Sequence, residues 1–166
     1  MARADEVTGP AGAVDRRLSE LGLTLPEATT RRGTYASTAR TGNLLFVSGH
    51  LPDSAGEPLH VGKLGRDLTT DQGYAAARQA GINLLGCVRA AIGDLDRVTA
   101  VVKLFGMVNS TEDFIEQSQV INGTSDLFAE VFEDAPLHAR SAVGMAQLPR
   151  NNCVEIEVVI ELRDEA

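Results

Sequence analysis

The feature that most constrains this chain is the alternation near its C-terminus. Across residues 153–162, Val154, Ile156, Val158, Ile160 and Leu162 take every second position, and Glu155, Glu157 and Glu161 fall between them with Val159. Successive side chains of a strand point to opposite faces, so this pattern commits the segment to a strand with one apolar face on a core and one face meeting something polar. Such a strand needs partners on both edges and a covering layer on its apolar face, which points to a sheet with helices packed on one side.

The rest of the chain supplies both. Thr69-Thr70-Asp71-Gln72 has the T-x-x-Q spacing of a capping box, and Tyr74, Ala77, Gly81, Leu84, Leu85, Val88 and Ile92 follow at helical spacing up to Gly93, a natural stop. Residues 98–108 are β-branched and apolar, a buried strand. Ser110-Thr111-Glu112-Asp113 is expected to open a second helix in the same manner, with Phe114, Ile121, Phe128 and Phe132 on its inner face and Pro136 closing it. Upstream, residues 34–39 and 44–48 flank Thr41-Gly42-Asn43, a strand–turn–strand unit. Residues 50–68 are a Gly- and Pro-containing loop with an edge strand near residues 59–61. Residues 14–23 form a short amphipathic helix ending at Gly22, after a flexible lead over residues 1–12. The order β-β-(β)-α-β-α-β-β predicts an α/β fold, a mixed sheet with two helices on one face. Residues 1–30 are then an N-terminal extension with a short helix, and residues 31–166 a single domain.

Composition excludes several functions. The 166 residues hold 15 Lys and Arg against 23 Asp and Glu, a formal net charge of −8. Such a balance repels phosphate backbones unless the basic residues cluster, and here only Arg16-Arg17 and Arg31-Arg32 adjoin. With no Trp and few aromatic rings there are few platforms for stacking bases, so nucleic acid is not an expected partner. No apolar run reaches membrane length and no signal-peptide core is present, so a cytoplasmic chain with reduced Cys87 and Cys153 is expected. Nucleotide-binding glycine motifs, zinc-protease motifs and nucleophile elbows are absent. His50, His60 and His138 have no ligand spacing, so no metal is expected.

Arg140 is the residue most open to chemistry. Its neighbours in Ala139-Arg140-Ser141-Ala142-Val143-Gly144 are small, which leaves room for an anion, and a guanidinium grips a carboxylate bidentately. An ion pair with a glutamate of the final strand explains the same residues. If residues 139–148 and 153–162 form a hairpin around Pro149-Arg150-Asn151-Asn152, with Val143 and Met145 on the helix side, Arg140 lies on the glutamate face opposite Glu161. Glu155 then lies opposite Ala146, six residues away along the strand, about 20 Å at ~3.3 Å per residue. A ligand touching both Arg140 and Glu155 would require two chains.

Three stretches together resemble the Rid family (reactive intermediate deaminase, YjgF-like, also labelled endoribonuclease L-PSP). Arg140-Ser141-Ala142-Val143, Leu148-Pro149 and Val154-Glu155-Ile156-Glu157 resemble its C-terminal signature. Tyr35 with residues 41–52 (TGNLLFVSGHLP) resembles its N-terminal one, and Asn122 in Ile121-Asn122-Gly123-Thr124 its second-helix Asn. The similarity spans about residues 33–162, in order.

The resemblance implies a chorismate-mutase-like fold, a homotrimer with clefts between subunits, and cofactor-independent hydrolysis of reactive enamines or imines to 2-oxo acids and ammonia. It implies Arg140 as the anchor for a small-molecule carboxylate and Glu155 as the group that orients water or moves protons. Tyr35 would border the cleft, the Ser48-Gly49 backbone would polarise water or the substrate nitrogen, and Asn122 and the Ala142 backbone would add polar contacts. Packing, strand-end and loop roles account for Tyr35, Ser48-Gly49 and Asn122 equally, and an interface salt bridge for Glu155. Two positions depart from the pattern of the active deaminases, Ala142 for Cys and Gly144 for Glu. With the extra N-terminal stretch they resemble a longer, less characterised branch. A non-catalytic trimeric carboxylate-binding protein and an endoribonuclease stand as alternatives.

Overall fold

The computed structural model describes residues 12–27, 33–133 and 137–163. The expected lead over residues 1–12 lies almost wholly outside them, as does Pro136. Five strands make one sheet in the order β1-β2-β7-β5-β6: β1 (Thr38–Thr41), β2 (Leu44–His50), β5 (Val98–Asn109), β6 (Ala139–Met145) and β7 (Val154–Leu162). Two short strands, β3 (Asp53–Ser54) and β4 (Glu57–Pro58), form a separate hairpin. Two long helices, α2 (Thr70–Ile92) and α3 (Gln117–Val131), cover one face, and α1 (Ala13–Glu20) lies beside them with Leu18 in the core.

The alternation of β7 is realised as expected: Val154, Ile156, Val158, Ile160 and Leu162 are buried under the helices. The Thr69 hydroxyl and the Gln72 side chain exchange bonds with each other's backbone N–H at the start of α2, and Gly93 ends the helix at φ 81°. The two helices approach closely because glycines face them. A Cβ on Gly123 would lie 2.1 Å from the Tyr74 carbonyl oxygen, and one on Gly106 within 2.6 Å of Ile121, so α3 rests directly on α2 and on β5.

Three expectations fail. The residues 110–116 do not begin a helix. The Thr111 N–H donates to the Leu64 carbonyl at 3.0 Å and the Leu64 N–H to that of Asn109 at 2.9 Å, so loop 62–68 takes the backbone groups a helical turn would use. Phe114 lies in this non-helical segment, not on the inner face of α3, and packs on Gly65 of the loop. The edge strand near residues 59–61 appears earlier, as β4, while Val61 contributes only a bridge to Asn152.

The third failure matters most. β6 and β7 are not a hairpin, because β5 lies between them, parallel to β6 and antiparallel to β7. The connection passes through a 3₁₀ turn with Arg150 and Asn151 both at φ 56°. Arg140 pairs with Leu104, and Leu104 with Val158, both buried on the helix side. Arg140, Ala142 and Gly144 therefore face α3, while Ser141, Val143 and Met145 share the open face with the glutamates. That open face also carries Phe46, 44% exposed, paired with Val159.

Candidate functional site

The register divides the residues of interest into two groups. Glu155 pairs with Met107 and Met107 with Val143, whereas Arg140 pairs with Leu104. The two sites are three residues apart along the strands and two strands apart across them, roughly 14 Å at ~3.3 Å per residue and ~4.8 Å per strand. They also lie on opposite faces of the sheet. Proposed pairing of Arg140 with Glu161 is thereby overturned.

The first group sits at the β6 edge against α3. Arg140 Nη1 donates to Asn122 Oδ1 at 2.7 Å and to Ser125 Oγ at 3.0 Å, and Nη2 reaches the Ser118 carbonyl at 3.5 Å. Asn122 and Ser125 are three residues apart on α3 and so share one helical face. Ser118 lies one turn earlier. Among the described residues no carboxylate pairs with Arg140, and every acceptor it meets is neutral. Two donations use both N–H groups of Nη1. Nε has no partner among the described residues, so the edge formed by Nε and Nη2 keeps the geometry that accepts a carboxylate fork on fork. Ala142 lies two residues along the same face, partly buried and opposite Gly106. Gly144 has given its space away: a Cβ there would lie 2.9 Å from Ser110 Oγ and 3.2 Å from Gln117 Nε2.

The second group sits on the open face. Between Val47 and His50, β2 advances three residues while β7 advances two, so Ser48-Gly49 is a bulge. A Cβ on Gly49 would lie 2.2 Å from Glu155 Oε1, so this glycine makes room for the carboxylate. Burial, with a smaller contribution from neighbouring Glu157, pushes the Glu155 carboxyl above its ordinary range. Tyr35 is 55% exposed, just ahead of Ala36 and Ser37, whose carbonyls accept bonds from Ser48 Oγ and N–H.

Sequence reasoning passed over three residues here. His50 donates from Nδ1 to the Ser48 carbonyl at 2.7 Å and so holds the bulge. A trans peptide points its C=O and N–H in opposite directions, so pinning that carbonyl also orients the Gly49 N–H. Ser125 and His138 join the Arg140 cluster, with Ser125 Oγ 2.9 Å from His138 Nε2. The three-residue spacing from Asn122 was the available signal for Ser125, whereas His138 had none. A shallow hollow of about 210 Å³ beside Gly65, Thr111, Asp113, Phe114, Ile115 and Glu116 contains none of the predicted residues. Cys87 and Cys153 are buried and unbridged. Among the described residues no cluster could hold a metal ion, and no helix is long and apolar enough to cross a membrane.

Comparison with known proteins adds the following. The family model described as "YjgF/chorismate mutase-like, putative endoribonuclease" matches residues 15–162. Protein TCP17 of Trypanosoma cruzi is 44% identical over 155 residues, 93% of this chain and 97% of TCP17. A 2-iminobutanoate/2-iminopropanoate deaminase of Dermatophagoides farinae is 29% identical over 138 residues, 83% of this chain and 93% of the deaminase. Among solved structures, a protein of unknown function from Agrobacterium tumefaciens superimposes with a TM-score of 0.84 at 44% identity, covering 90% of this chain and 92% of that one. TdcF of E. coli, crystallised with bound serine, gives a TM-score of 0.59 at 25% identity, covering 84% and 94%.

Proposed function

The chain belongs to the YjgF/chorismate mutase-like family, and from that premise we propose that it hydrolyses small imines or enamines to 2-oxo acids and ammonia. The reading rests on one observation: Arg140 is held only by neutral acceptors, with Nε unpartnered among the described residues and Nη2 making only a long 3.5 Å contact to the Ser118 carbonyl. A charge braced this way is preorganised for an anion and loses no existing ion pair on binding one. The deaminase relative and the serine bound to TdcF both favour a small amino-acid-like ligand.

In this reading the substrate carboxylate sits on the open edge of Arg140. Water adds to the imine carbon, giving a carbinolamine; a proton moves from oxygen to nitrogen, the C–N bond breaks, and ammonia leaves a 2-oxo acid. Glu155 suits the proton transfers, because a carboxyl raised above its ordinary range accepts and returns a proton nearer neutral pH. The Gly49 N–H orients the water or the substrate nitrogen, with Tyr35 at the rim and Asn122 bracing the guanidinium. Since Arg140 and Glu155 occupy opposite faces of one sheet, the cleft is assembled between subunits of a homotrimer, Arg140 from one chain and Glu155 from the next.

Purified protein should accelerate 2-iminopropanoate hydrolysis in a coupled assay. Arg140→Ala should lower kcat/KM by roughly 30- to 5,000-fold, the equivalent of about 2–5 kcal/mol for truncating one partner of a desolvated charge pair. No acceleration over buffer by a folded protein ends the proposal. A non-catalytic carboxylate-binding trimer is the second reading, favoured by Ala142 and by the filling of the Gly144 space with Ser110 and Gln117. Ligand-dependent melting shifts without turnover distinguish it. RNA cleavage lost in Arg140→Ala would instead support an endoribonuclease, against the net charge of −8.

A further inference from the structure

The imidazole of His138 is the part of the Arg140 cluster that the hydrolysis leaves unused. It stands on the strand entry two residues before Arg140, edge-on to the Phe128 ring at 6.3 Å and 79°, with Nε2 2.9 Å from Ser125 Oγ. Arginine can only donate. Ser125 Oγ therefore accepts from Arg140 Nη1 at 3.0 Å, and its own hydroxyl proton stays available. A neutral His138 with its proton on Nδ1 accepts that proton at Nε2, whereas a protonated one donates to the second lone pair of Oγ.

We propose that His138 is a positioning residue of the Arg140 site, acting through Ser125, and that it takes up a proton when a carboxylate binds; this rests on reading Arg140 as a carboxylate anchor. A protonated His138 donates from Nε2 to Ser125 Oγ. That releases the hydroxyl proton of Ser125, which turns toward the anion on Arg140, and the imidazolium adds a second positive charge beside it. The site thus grips anions more tightly when His138 is charged, and a neutral ligand of the same shape gains nothing.

The surroundings of His138 support one partner for this coupling. Burial, then the nearby Arg140 charge, holds its pKa below the usual histidine range. The carboxylates of α3 face elsewhere: Asp126 accepts from the Tyr74 hydroxyl and Glu130 pairs with Arg78, both on α2. Glu133, just past α3, pairs with Arg17. Ser125 and Phe128, the α3 side chains that touch the ring, carry no charge. A carboxylate on Arg140 cancels the charge that depresses His138, so the bound value lies above the free one. Between those two values binding takes up a proton and affinity rises as pH falls; above and below that window it is flat. Glu155 of the adjoining chain also titrates upward, but its contribution persists in a variant altered only at position 138.

The test is calorimetry of 2-oxobutanoate binding to the full-length protein from pH 5 to 8, in two buffers of different ionisation enthalpy. Wild type and His138→Gln are compared, with 2-oxobutanamide as the neutral control. The glutamine carbonyl can accept the Ser125 proton at every pH. Wild-type affinity should rise roughly three- to tenfold more than that of His138→Gln over this range, one pKa unit of coupling being a factor of ten. In unmodified protein, the His138 ring resonance should titrate at higher pH with 2-oxobutanoate than without it. Equal pH slopes in the two proteins, or a His138 titration unmoved by ligand, overturn the proposal. If binding is lost in Arg140→Ala but carries no proton uptake in wild type, His138 alone is refuted. If 2-oxobutanoate binds at no pH, the anchor reading falls and takes this proposal with it.

Discussion

Arg140 and Glu155 occupy opposite faces of one sheet, and their surroundings differ as much as their charges. Arg140 lies at an edge strand, with Asn122 and Ser125 of α3 fixing one end of its guanidinium. Glu155 lies on the central strand β7, on the face no helix covers. Among the described residues its carboxylate has no hydrogen-bond donor, only the gap left by Gly49. One side of the sheet prepares a cation with neutral groups; the other leaves an anion desolvated and uncompensated. Burying a carboxylate without a partner costs stability, and such groups concentrate where proton transfer is needed. On the proposed reading these are two halves of one cleft shared between chains, each incomplete alone.

The strongest way to break this comparison is to mix inactive partners. Arg140→Ala and Glu155→Gln proteins, unfolded together and reassembled at equal amounts, should on the proposed inter-subunit cleft recover about a quarter of wild-type activity, because only clefts drawing Arg140 and Glu155 from two intact donors work. Recovery no greater than the sum of the separate variants would return both residues to one chain. Glu155→Gln alone should lower kcat by about 100-fold, at the low end for a lost acid–base group. It should also stabilise the fold. The raised carboxyl means the folded chain binds this proton more tightly than the unfolded one. Its favourable contribution is therefore present below the unfolded value and lost as pH rises through the folded value. Melting should accordingly show Glu155→Gln above wild type at pH 7, with the gap closing toward pH 4.

A smaller change sharpens the picture of the open face. Gly49→Ala places a methyl against Glu155 Oε1, at the far end of a flexible side chain, so the fold should survive with unchanged circular dichroism while kcat falls by up to about 100-fold, the cost of displacing a catalytic group by about 1 Å. The least effect belongs to the bracing of Arg140. Asn122→Ala removes one hydrogen bond to a charged group and should raise KM roughly tenfold, about 1.5 kcal/mol, with kcat nearly unchanged. A fall in kcat instead would move Asn122 from bracing to chemistry.

Much of the fold was legible because its signals are local. The capping box at Thr69 and the glycine at 93 bound α2 by chemistry within a few residues, and β7 shows its buried face wherever its neighbours lie. The start of α3 was misread because Thr111 has good capping chemistry but its N–H is claimed by Leu64, 47 positions away. β6 was misread for a related reason. Val143 and Met145 are apolar, so hydrophobicity assigned them to the helix side, yet that side needs the small Ala142 and Gly144 to admit α3, Ser110 and Gln117.

By itself the sequence determined the α/β class, the faces of β7, the limits of α2 and the residue types a carboxylate site would use. Each depends on hydrogen bonds and side-chain directions set within a turn or a strand. Only the tertiary structure decided that β5 separates β6 from β7, and hence that Arg140 turns toward α3 and meets Ser125 and His138. Strand order is settled by which long-range pairings bury the most apolar surface at once, a sum over the whole chain that no short window contains.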